Sequence, residues 1–259
     1  VRALIKKKTY AFINIAGLAI GLAACLMLLI YVRYERSYDE WLPGSENVYQ
    51  VQSEWLNTET GVSEPGQMSA YVVGTNLRKD FPQIEASVYA LAAAPVVMRG
   101  GQALPTEDAV FVDNLFFDVL EFPLVRGDPR TALREPGSIV LSECEARKYF
   151  GESVPIGETL TLIARGQTLD HRVTGVMRDL PRNSHMRLNM VARFDPATYF
   201  AENDDFLTQW GWQSGWNYVR LRDGTDVAAI NSQMPQWEER NIPDQTFGDQ
   251  TLNQGDVGD

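Results

Sequence analysis

The chain has 259 residues, and its 34 acidic against 23 basic residues give a formal net charge of −11 at pH 7. This length accommodates one or two domains with cores of their own. The acidic balance argues against a nucleic-acid partner, because such binding depends on cations that neutralise phosphates. The two cysteines, Cys25 and Cys144, form neither a disulfide framework nor a zinc-type spacing.

The first predicted element is the apolar stretch AFINIAGLAIGLAACLMLLIYV at residues 11–32. A helix of roughly 20 residues crosses about 30 Å of hydrocarbon. The apolar region of a signal peptide is usually about 7 to 15 residues long and ends at a small-residue cleavage site. Because the bulky residues 26–32 offer no such site, we predict a transmembrane helix in preference to a cleaved signal peptide or a buried core helix.

Flanking charge predicts the orientation of this helix. Arg2 and Lys6–Lys8 precede the span, and no acidic residue does. The positive-inside rule then predicts a cytoplasmic amino terminus at residues 1–10 and an extracytoplasmic remainder. No Pro or Gly interrupts residues 22–42, so the helix is predicted to continue to about residue 42, where Pro43-Gly44 ends it.

Two features of the helix surface indicate what it packs against. Gly17 and Gly21 form a small-xxx-small pair, which favours close helix–helix packing; chance in a Gly- and Ala-rich span is the alternative. Tyr31, Tyr34, Tyr38 and Trp41 recur on one face. That pattern fits either an interfacial aromatic belt or packing against the domain that follows.

The rest of the chain predicts short strands and helices in mixed order, as in VYQVQSEW, whose side chains alternate as in a strand. Strands are predicted at residues 48–55, 88–98, 109–113, 138–142, 159–163, 171–178, 190–194 and 216–221. Helices are predicted from residue 69 to a helix end near Asp80-Phe81-Pro82, and at residues 114–120, 143–150 and 227–239. Turns are predicted at Arg99-Gly100-Gly101 and Arg165-Gly166. Residues 241–259 form a polar, weakly patterned tail, which we expect to be a truncated end.

The sequence contains no signature of a cofactor site or a reactive nucleophile: both GxxxxGK[ST] and GxSxG are absent. His171 and His185 are the only histidines. His185 lies in the turn-like segment PRNSH, which favours a loop-stapling histidine over a catalytic one. For Trp210, Trp212 and Trp216 we favour packing over stacking on a sugar. We therefore expect no enzyme activity, cofactor or metal site.

Five segments, in this order, resemble the amino-terminal part of an ABC transporter permease of the MacB/FtsX type. They are FINIAGLAIGL (12–22), YERSYD (34–39), SIVLSE (138–143), YFGESVPIGE (149–158) and VTGVMRDLPRNSH (173–185). Within them we identify scaffold residues at a helix end, in a turn, in a strand and in a loop. These are Tyr149, Phe150 and Gly151; Pro155 and Gly157; Gly175; and Pro181, Ser184 and His185.

The resemblance implies an α+β fold. One transmembrane helix would be followed by a mixed α/β, porter-like extracytoplasmic domain formed by residues 46–120 and 212–240. Residues 121–211 would form a β-rich inserted subdomain. Such permeases have three further membrane helices after this domain, so the resemblance also implies that the chain is part of a longer permease.

The resemblance also implies a function. The chain would be the permease subunit of an ABC-type exporter or mechanotransmission complex in the bacterial inner membrane. It would couple ATP hydrolysis by a partner ATPase subunit to extracytoplasmic movement. The implied partners are that ATPase, a second permease copy, membrane lipid, and a periplasmic adaptor or a cell-wall enzyme. The implied cargo is a drug, a peptide or a lipid-linked molecule, and no residue distinguishes among these.

Two other functions remain open from the residues alone. A single-span anchored binding or sensor module would use the same extracytoplasmic domain without an ATPase. An anchored hydrolase would depend on His185, and the missing catalytic signatures disfavour it.

Overall fold

The computed structural model describes residues 8–57, 62–200, 204–243, 245–247 and 250–252. Most of the predicted cytoplasmic terminus 1–10 and much of the predicted tail 241–259 lie outside the described residues. The chain divides into two compact units. The small unit comprises Val1–Trp41 and Pro181–Met186, and the large unit comprises Leu42–Leu180 and Arg187–Asp259.

The secondary structure is mixed, with one long helix and many short elements. The helices are α1 (Lys8–Arg36), α2 (Tyr71–Asp80), α3 (Phe116–Val119), α4 (Pro129–Ala132), α5 (Glu143–Phe150), α6 (Pro196–Tyr199), α7 (Val227–Asn231) and α8 (Met234–Asn241). The strands are β1 (Val48–Val51), β2 (Ser53–Asn57), β3 (Val62–Gly66), β4 (Ser69–Ala70), β5 (Ile84–Ala93), β6 (Val96–Arg99), β7 (Gln102–Pro105), β8 (Ala109–Val112), β9 (Leu124–Arg126), β10 (Ser138–Ser142), β11 (Thr159–Ala164), β12 (Gln167–Met177), β13 (Met190–Arg193), β14 (Gln213–Leu221), β15 (Gln245–Phe247) and β16 (Gln250–Leu252).

The helix α1 has the length and composition of a membrane span. The most apolar stretch within its residues Thr9–Arg36 has a mean hydropathy of 2.6, and none of that stretch is buried within the protein. A helix of 29 residues is about 43 Å long, enough to cross a hydrocarbon core of about 30 Å and the adjoining headgroup layer.

This helix ends at Arg36, about one and a half turns before the predicted end near residue 42. Ser37 still donates its backbone N–H to Tyr34 O at 3.0 Å, but Asp39 donates its own to Asn183 O at 3.0 Å. Asp39 also adopts a left-handed backbone conformation, with φ of 58°. A distant segment of the chain therefore ends the helix, and Pro43-Gly44 lies beyond that end.

The large unit is built on one 12-stranded mixed sheet with the order β1-β14-β5-β8-β13-β10-β12-β11-β6-β7, to which β4 and β9 add at β14 and β12. The pairs β10–β12 and β8–β13 are parallel, and the remaining pairs are antiparallel. Strand β8 from the predicted porter-like part pairs with β13 from the predicted insertion. The sheet is thus continuous across the predicted boundary, and the division into subdomains stays a prediction.

Two prolines divide elements that were predicted to be continuous. The predicted strand 88–98 is two strands, β5 and β6, separated by the segment that contains Pro95. The predicted helix 227–239 is likewise two helices, and Pro235 occupies the first turn of α8. Proline has no N–H to donate, so it is tolerated in the first turn of a helix and disrupts a helix interior or a strand ladder.

An aromatic-rich core lies on the sheet of the large unit. It includes Phe111, Phe194 and Phe206, all of them buried. Trp212 packs edge-on against Phe206 at 5.5 Å between ring centroids, and Trp210 packs edge-on against Trp237 at 5.8 Å. For these two tryptophans the contacts favour the packing interpretation over sugar stacking.

Candidate functional site: a clasp at the end of the membrane helix

The end of α1 and the segment Pro181–Met186 lie in the same compact unit although they are far apart in sequence. Each belongs to one of the segments that carry the family resemblance. Side chains of both join in a hydrogen-bonded cluster. We call this cluster, formed by Ser37, Asp39, Asn183, Ser184 and His185, the clasp, and residues 181–186 the clasp loop.

Asn183 holds the last turn of α1. Its Nδ2 donates to Ser37 O at 2.8 Å and to Ser37 Oγ at 3.1 Å. Ser37 Oγ in turn donates to Tyr34 O at 2.7 Å, and the Tyr34 hydroxyl donates to Arg182 O at 3.4 Å. The free carbonyl of Ser37 at the helix end, which has no intrahelical partner, is satisfied by the amide of Asn183.

Asp39 joins the clasp through its backbone and both carboxylate oxygens. Its Oδ1 accepts from Ser184 Oγ and from the backbone N–H of His185, both at 3.2 Å. Its Oδ2 lies 2.6 Å from His185 Nδ1. Because an ionised carboxylate only accepts, Nδ1 of His185 is the donor. Because the backbone of Asp39 is left-handed, its carboxylate and its N–H can both bond to the clasp loop.

The environment of the clasp is partly open to water. The side chains of Asp39 and His185 are 22 % and 33 % exposed, so solvent screens their charges. Two groups of the clasp each take part in two hydrogen bonds: Asn183 Nδ2 donates twice and Asp39 Oδ1 accepts twice. Removing Asp39 would leave Ser184 and the His185 ring without the acceptor that orients both.

The arrangement of the Asp–His pair differs from that of a hydrolytic triad. In a triad the serine hydroxyl donates to the histidine, which the aspartate orients from its other nitrogen. Here Ser184 Oγ donates to Asp39, so the carboxylate orients both neighbours. Among the described residues, no group of three or more His, Cys, Asp or Glu side chains could hold a metal ion. The expectation that the chain is not an enzyme stays a prediction.

The connection from α1 to the sheet is fixed within the large unit. Leu42 is buried, and Gly44 has a φ of 67°. A Cβ on Gly44 would lie 3.2 Å from both Arg220 Nη1 and Glu121 Oε1. Those two atoms form an ion pair at 2.7 Å, while Arg220 Nη2 donates to Val119 O at 2.7 Å. A glycine is thus required where the chain turns over this pair.

The residues predicted as scaffold lie in three places. Of the predicted set, Ser184 and His185 are brought into the clasp, which Pro181 precedes. Gly17 and Gly21 lie on α1, where a Cβ on either would meet nothing within 4 Å. The others lie in the large unit, away from the clasp in sequence: Tyr149, Phe150, Gly151, Pro155, Gly157 and Gly175.

The motif residues of the large unit have structural contacts. The Tyr149 hydroxyl shares a hydrogen bond with Thr106 Oγ1, and Arg99 stacks over the ring of Phe150 at 3.9 Å. Gly151 and Gly157 have φ values of 62° and 90°, a region that favours glycine. These contacts connect α5 and the turn before β11 to the sheet and present no reactive group.

Sequence reasoning missed Ser37, Asp39 and Asn183 as members of a site. The sequence offered one indication: the segments 34–39 and 173–185 both belong to the ordered set of family-like motifs. Nothing local in either segment indicates that the two meet, because their contacts span 146 positions in sequence.

Comparison with protein families identifies a match that includes most of α1, the clasp and most of the large unit. A model of the MacB-like periplasmic core domain matches residues 11–237. The chain belongs to this family. A comparison with curated proteins gave no match. The matched range begins in α1 and includes the clasp, so the MacB-like assignment covers both units.

Three solved structures share the fold. A domain from Porphyromonas gingivalis, from a protein named as a permease, is 20 % identical with a TM-score of 0.62, over 78 % of this chain and 84 % of that one. The periplasmic region of MacB from Actinobacillus actinomycetemcomitans is 14 % identical with a TM-score of 0.50, over 75 % and 83 %. The extracellular domain of the noncanonic ABC-type transporter YknZ from Gram-positive bacteria is 17 % identical with a TM-score of 0.50, over 75 % and 92 %.

These findings confirm the predicted resemblance and the predicted fold class. The chain is a MacB-like periplasmic domain of the ABC-type permease family, preceded by one apolar helix. Together the helix and the domain indicate a membrane-anchored protein.

Proposed function

We propose that the chain is the permease subunit of an ABC-type exporter or mechanotransmission complex. It couples ATP hydrolysis by a separate ATPase to movement of its extracytoplasmic unit. The observation that supports this most is the family match over residues 11–237, which starts within a helix able to span a membrane. Residues 1–259 contain no P-loop, so the proposal assigns ATP hydrolysis to an ATPase subunit or domain other than these residues.

The proposed location is the bacterial inner membrane, with the amino terminus in the cytoplasm. The basic residues Arg2 and Lys6–Lys8 before the apolar helix support this orientation. The name of the family domain, periplasmic core, supports placing the large unit outside the cytoplasm. The proposed assembly is two permease copies with the ATPase, acting on a drug, a peptide or lipid-linked cargo, or on a periplasmic adaptor or cell-wall enzyme.

Reporter fusions test the orientation. Alkaline phosphatase fused after Arg240 should be active in cells, because that enzyme folds only outside the cytoplasm, and a cytoplasmic reporter fused at the same residue should be inactive. The reverse pattern would contradict the proposed orientation.

Purification from the native membrane tests the ATPase partnership. The full-length protein, tagged at the chromosome and extracted in mild detergent, should retain a P-loop ATPase in equimolar amount and hydrolyse ATP in a vanadate-sensitive reaction. A chain that purifies without an ATPase, and anchors a functional extracytoplasmic domain without one, would instead support the single-span binding or sensor module.

A further inference from the structure

We propose that movement of α1 reaches the large unit chiefly through the clasp loop, which Asp39 holds, rather than along the direct chain connection at Leu42. This inference rests on the proposed function and names the residues that transmit the movement. It assigns the Asp39–Asn183–His185 contacts a role in transmission beyond stabilisation of the fold.

The first reason is that α1 is not a continuous rod up to the large unit. The helix ends at Arg36, and Asp39 has a left-handed backbone. Residues between a helix end and the next fixed point can absorb displacement through their φ and ψ angles. A push or pull along α1 would therefore be lost in residues 37–41 unless other contacts held them.

The second reason is that the clasp holds those residues against a different part of the chain. Asn183 bonds to Ser37 twice through its side chain and accepts from the backbone of Asp39. The Asp39 carboxylate bonds to Ser184 and His185. These bonds tie the end of α1 to the clasp loop within the small unit, so we infer that the two move together.

The third reason is where the clasp loop rejoins the large unit. Its first end follows β12 by a few residues, and its second end leads into β13. Both strands border β10 in the sheet, and β10 is buried along its whole length. The chain on each side is also held: Arg178 N–H donates to Pro123 O at 3.1 Å, and Asn189 N–H donates to Asp108 O at 2.8 Å.

The chain crosses between the two units three times, at 41–42, 180–181 and 186–187. When the hydrogen bonds of the clasp are formed, all three crossings connect the end of α1 to the large unit. Two of these lead directly into strands at the centre of the sheet. Close-packed interiors transmit displacement because they deform little. Without the clasp bonds, the chain crossing at 41–42 remains as the direct connection from α1 to the large unit, and the clasp loop no longer bonds to the helix end.

Asp39→Ala in the full chain, purified as the complex with its ATPase, tests this directly. Hydrogen exchange is measured by mass spectrometry with and without ATP and vanadate. In the native complex, nucleotide trapping should change exchange in peptides covering 173–180 and 187–194. In Asp39→Ala that nucleotide-dependent change should disappear while ATP hydrolysis stays within about twofold, and Asp39→Asn, which keeps Oδ1 as an acceptor, should restore part of it.

A readout without nucleotide tests the clasp itself. In Asp39→Ala, exchange in peptides 37–41 and 181–186 should be about tenfold faster, in keeping with the loss of charge-assisted hydrogen bonds. Asn47→Ala is the matched control, because it removes a side-chain bond to Asp223 at the linker in the large unit and leaves the clasp intact. It should change neither readout. If Asp39→Ala does not assemble, Asn183→Ala replaces it, with the same expectations.

The outcomes separate the two proposals. A nucleotide-dependent change that persists in Asp39→Ala and Asn183→Ala would overturn the clasp as the transmitting element and would place transmission at Leu42. Unchanged exchange at 181–186 without nucleotide would overturn it too. If the native complex hydrolyses no ATP, the proposed function fails and the inference fails with it.

Discussion

His171 shows how a single buried residue makes stability depend on pH. The ring is 2 % exposed. Its Nδ1 lies 3.2 Å from Leu169 O and its Nε2 lies 3.2 Å from the Tyr199 hydroxyl. Because a carbonyl only accepts, Nδ1 carries the proton and Nε2 accepts from Tyr199. Burial raises the pKa of Tyr199 to about 12, so its hydroxyl remains a donor.

We expect the free energy of unfolding to fall as the pH drops below 6.5. Burial lowers the pKa of His171 below its ordinary value of 6.5, so in acid the unfolded chain binds a proton that the folded chain resists. The contribution of the neutral ring is therefore fully present above 6.5 and is lost below it. His171→Gln should remove this part of the pH dependence and lower the free energy of unfolding by about 1–2 kcal/mol at pH 7.5.

Thermal unfolding of both proteins in detergent at pH 7.5, 6.5 and 5.5 measures the difference. Comparing the two proteins isolates His171, because other groups titrate in both. Burial raises the pKa of Asp113, for example, and its contribution, of the opposite sign, cancels in the comparison. Parallel pH profiles for the native protein and His171→Gln would contradict the assignment.

Gly215 is a residue at which the sheet tolerates no side chain. It pairs with Leu91 across β14 and β5, and a Cβ there would lie 2.4 Å from Tyr89 Cζ and 2.6 Å from Ala90 O. Gly215→Ala should therefore lower the free energy of unfolding by about 1–3 kcal/mol. Ser214→Ala is the control: it removes one bond to the Tyr89 hydroxyl and should cost about 1 kcal/mol or less. Equal melting temperatures for the two variants would refute the steric argument.

At the scale of elements, turn chemistry could be predicted from sequence and helix length could not. The Arg99-Gly100-Gly101 turn joins β6 to β7, with φ of 56° and 78° at its two glycines. The Arg165-Gly166 turn likewise joins β11 to β12. Both depend on residues within the turn. The end of α1 depends instead on Asn183, so no local pattern could place it at Arg36.

The same distinction applies to the sheet and the clasp. Most strands could be located from alternation and turn residues, but strand order depends on contacts between distant segments. Ser184 and His185 were identified as scaffold, and the role of His185 as a staple was favoured. Its partner Asp39 could not be named, because the pairing is a property of the folded chain.

The exposed small residues of α1 give a testable prediction about pairing of two copies. A Cβ added at Gly17 or Gly21 would meet nothing within 4 Å, which leaves room for a second helix to approach closely. Gly17→Ile with Gly21→Ile should reduce self-association in detergent about tenfold, an effect of roughly 1–2 kcal/mol in membrane helices. Cross-linking against protein-to-detergent ratio measures it.

The matched control for that pair places the same bulk on another face of the helix. Ala19→Ile with Ala23→Ile lies about 200° around the helix from the glycine pair and should leave self-association unchanged. Similar losses in both double variants, or no loss in either, would show that the glycine face does not mediate pairing.

At the scale of the whole molecule, the chain combines an apolar helix, a clasp and a broad sheet. The helix places the chain in the membrane, and the family match identifies the domain. The clasp loop connects the helix end to strands beside β10. We propose that hydrolysis of ATP by the partner moves the extracytoplasmic unit.

The native thiol of Cys144 allows movement of the extracytoplasmic unit to be measured. Cys144 and Cys25 are both exposed, so Cys25→Ala leaves one label position, on α5 of the large unit. Electron–electron distance measurements between spin labels on two copies report separation of their extracytoplasmic units. A complex whose ATPase has lost its P-loop lysine is the control, because it cannot complete the cycle.

We expect trapping with ATP and vanadate to shift the distance between the two Cys144 labels by about 5 Å or more, the displacement of one helical turn. The control complex should show no shift. An unchanged distance in a complex that hydrolyses ATP normally would contradict the claim that this chain passes ATP-driven movement to its extracytoplasmic unit.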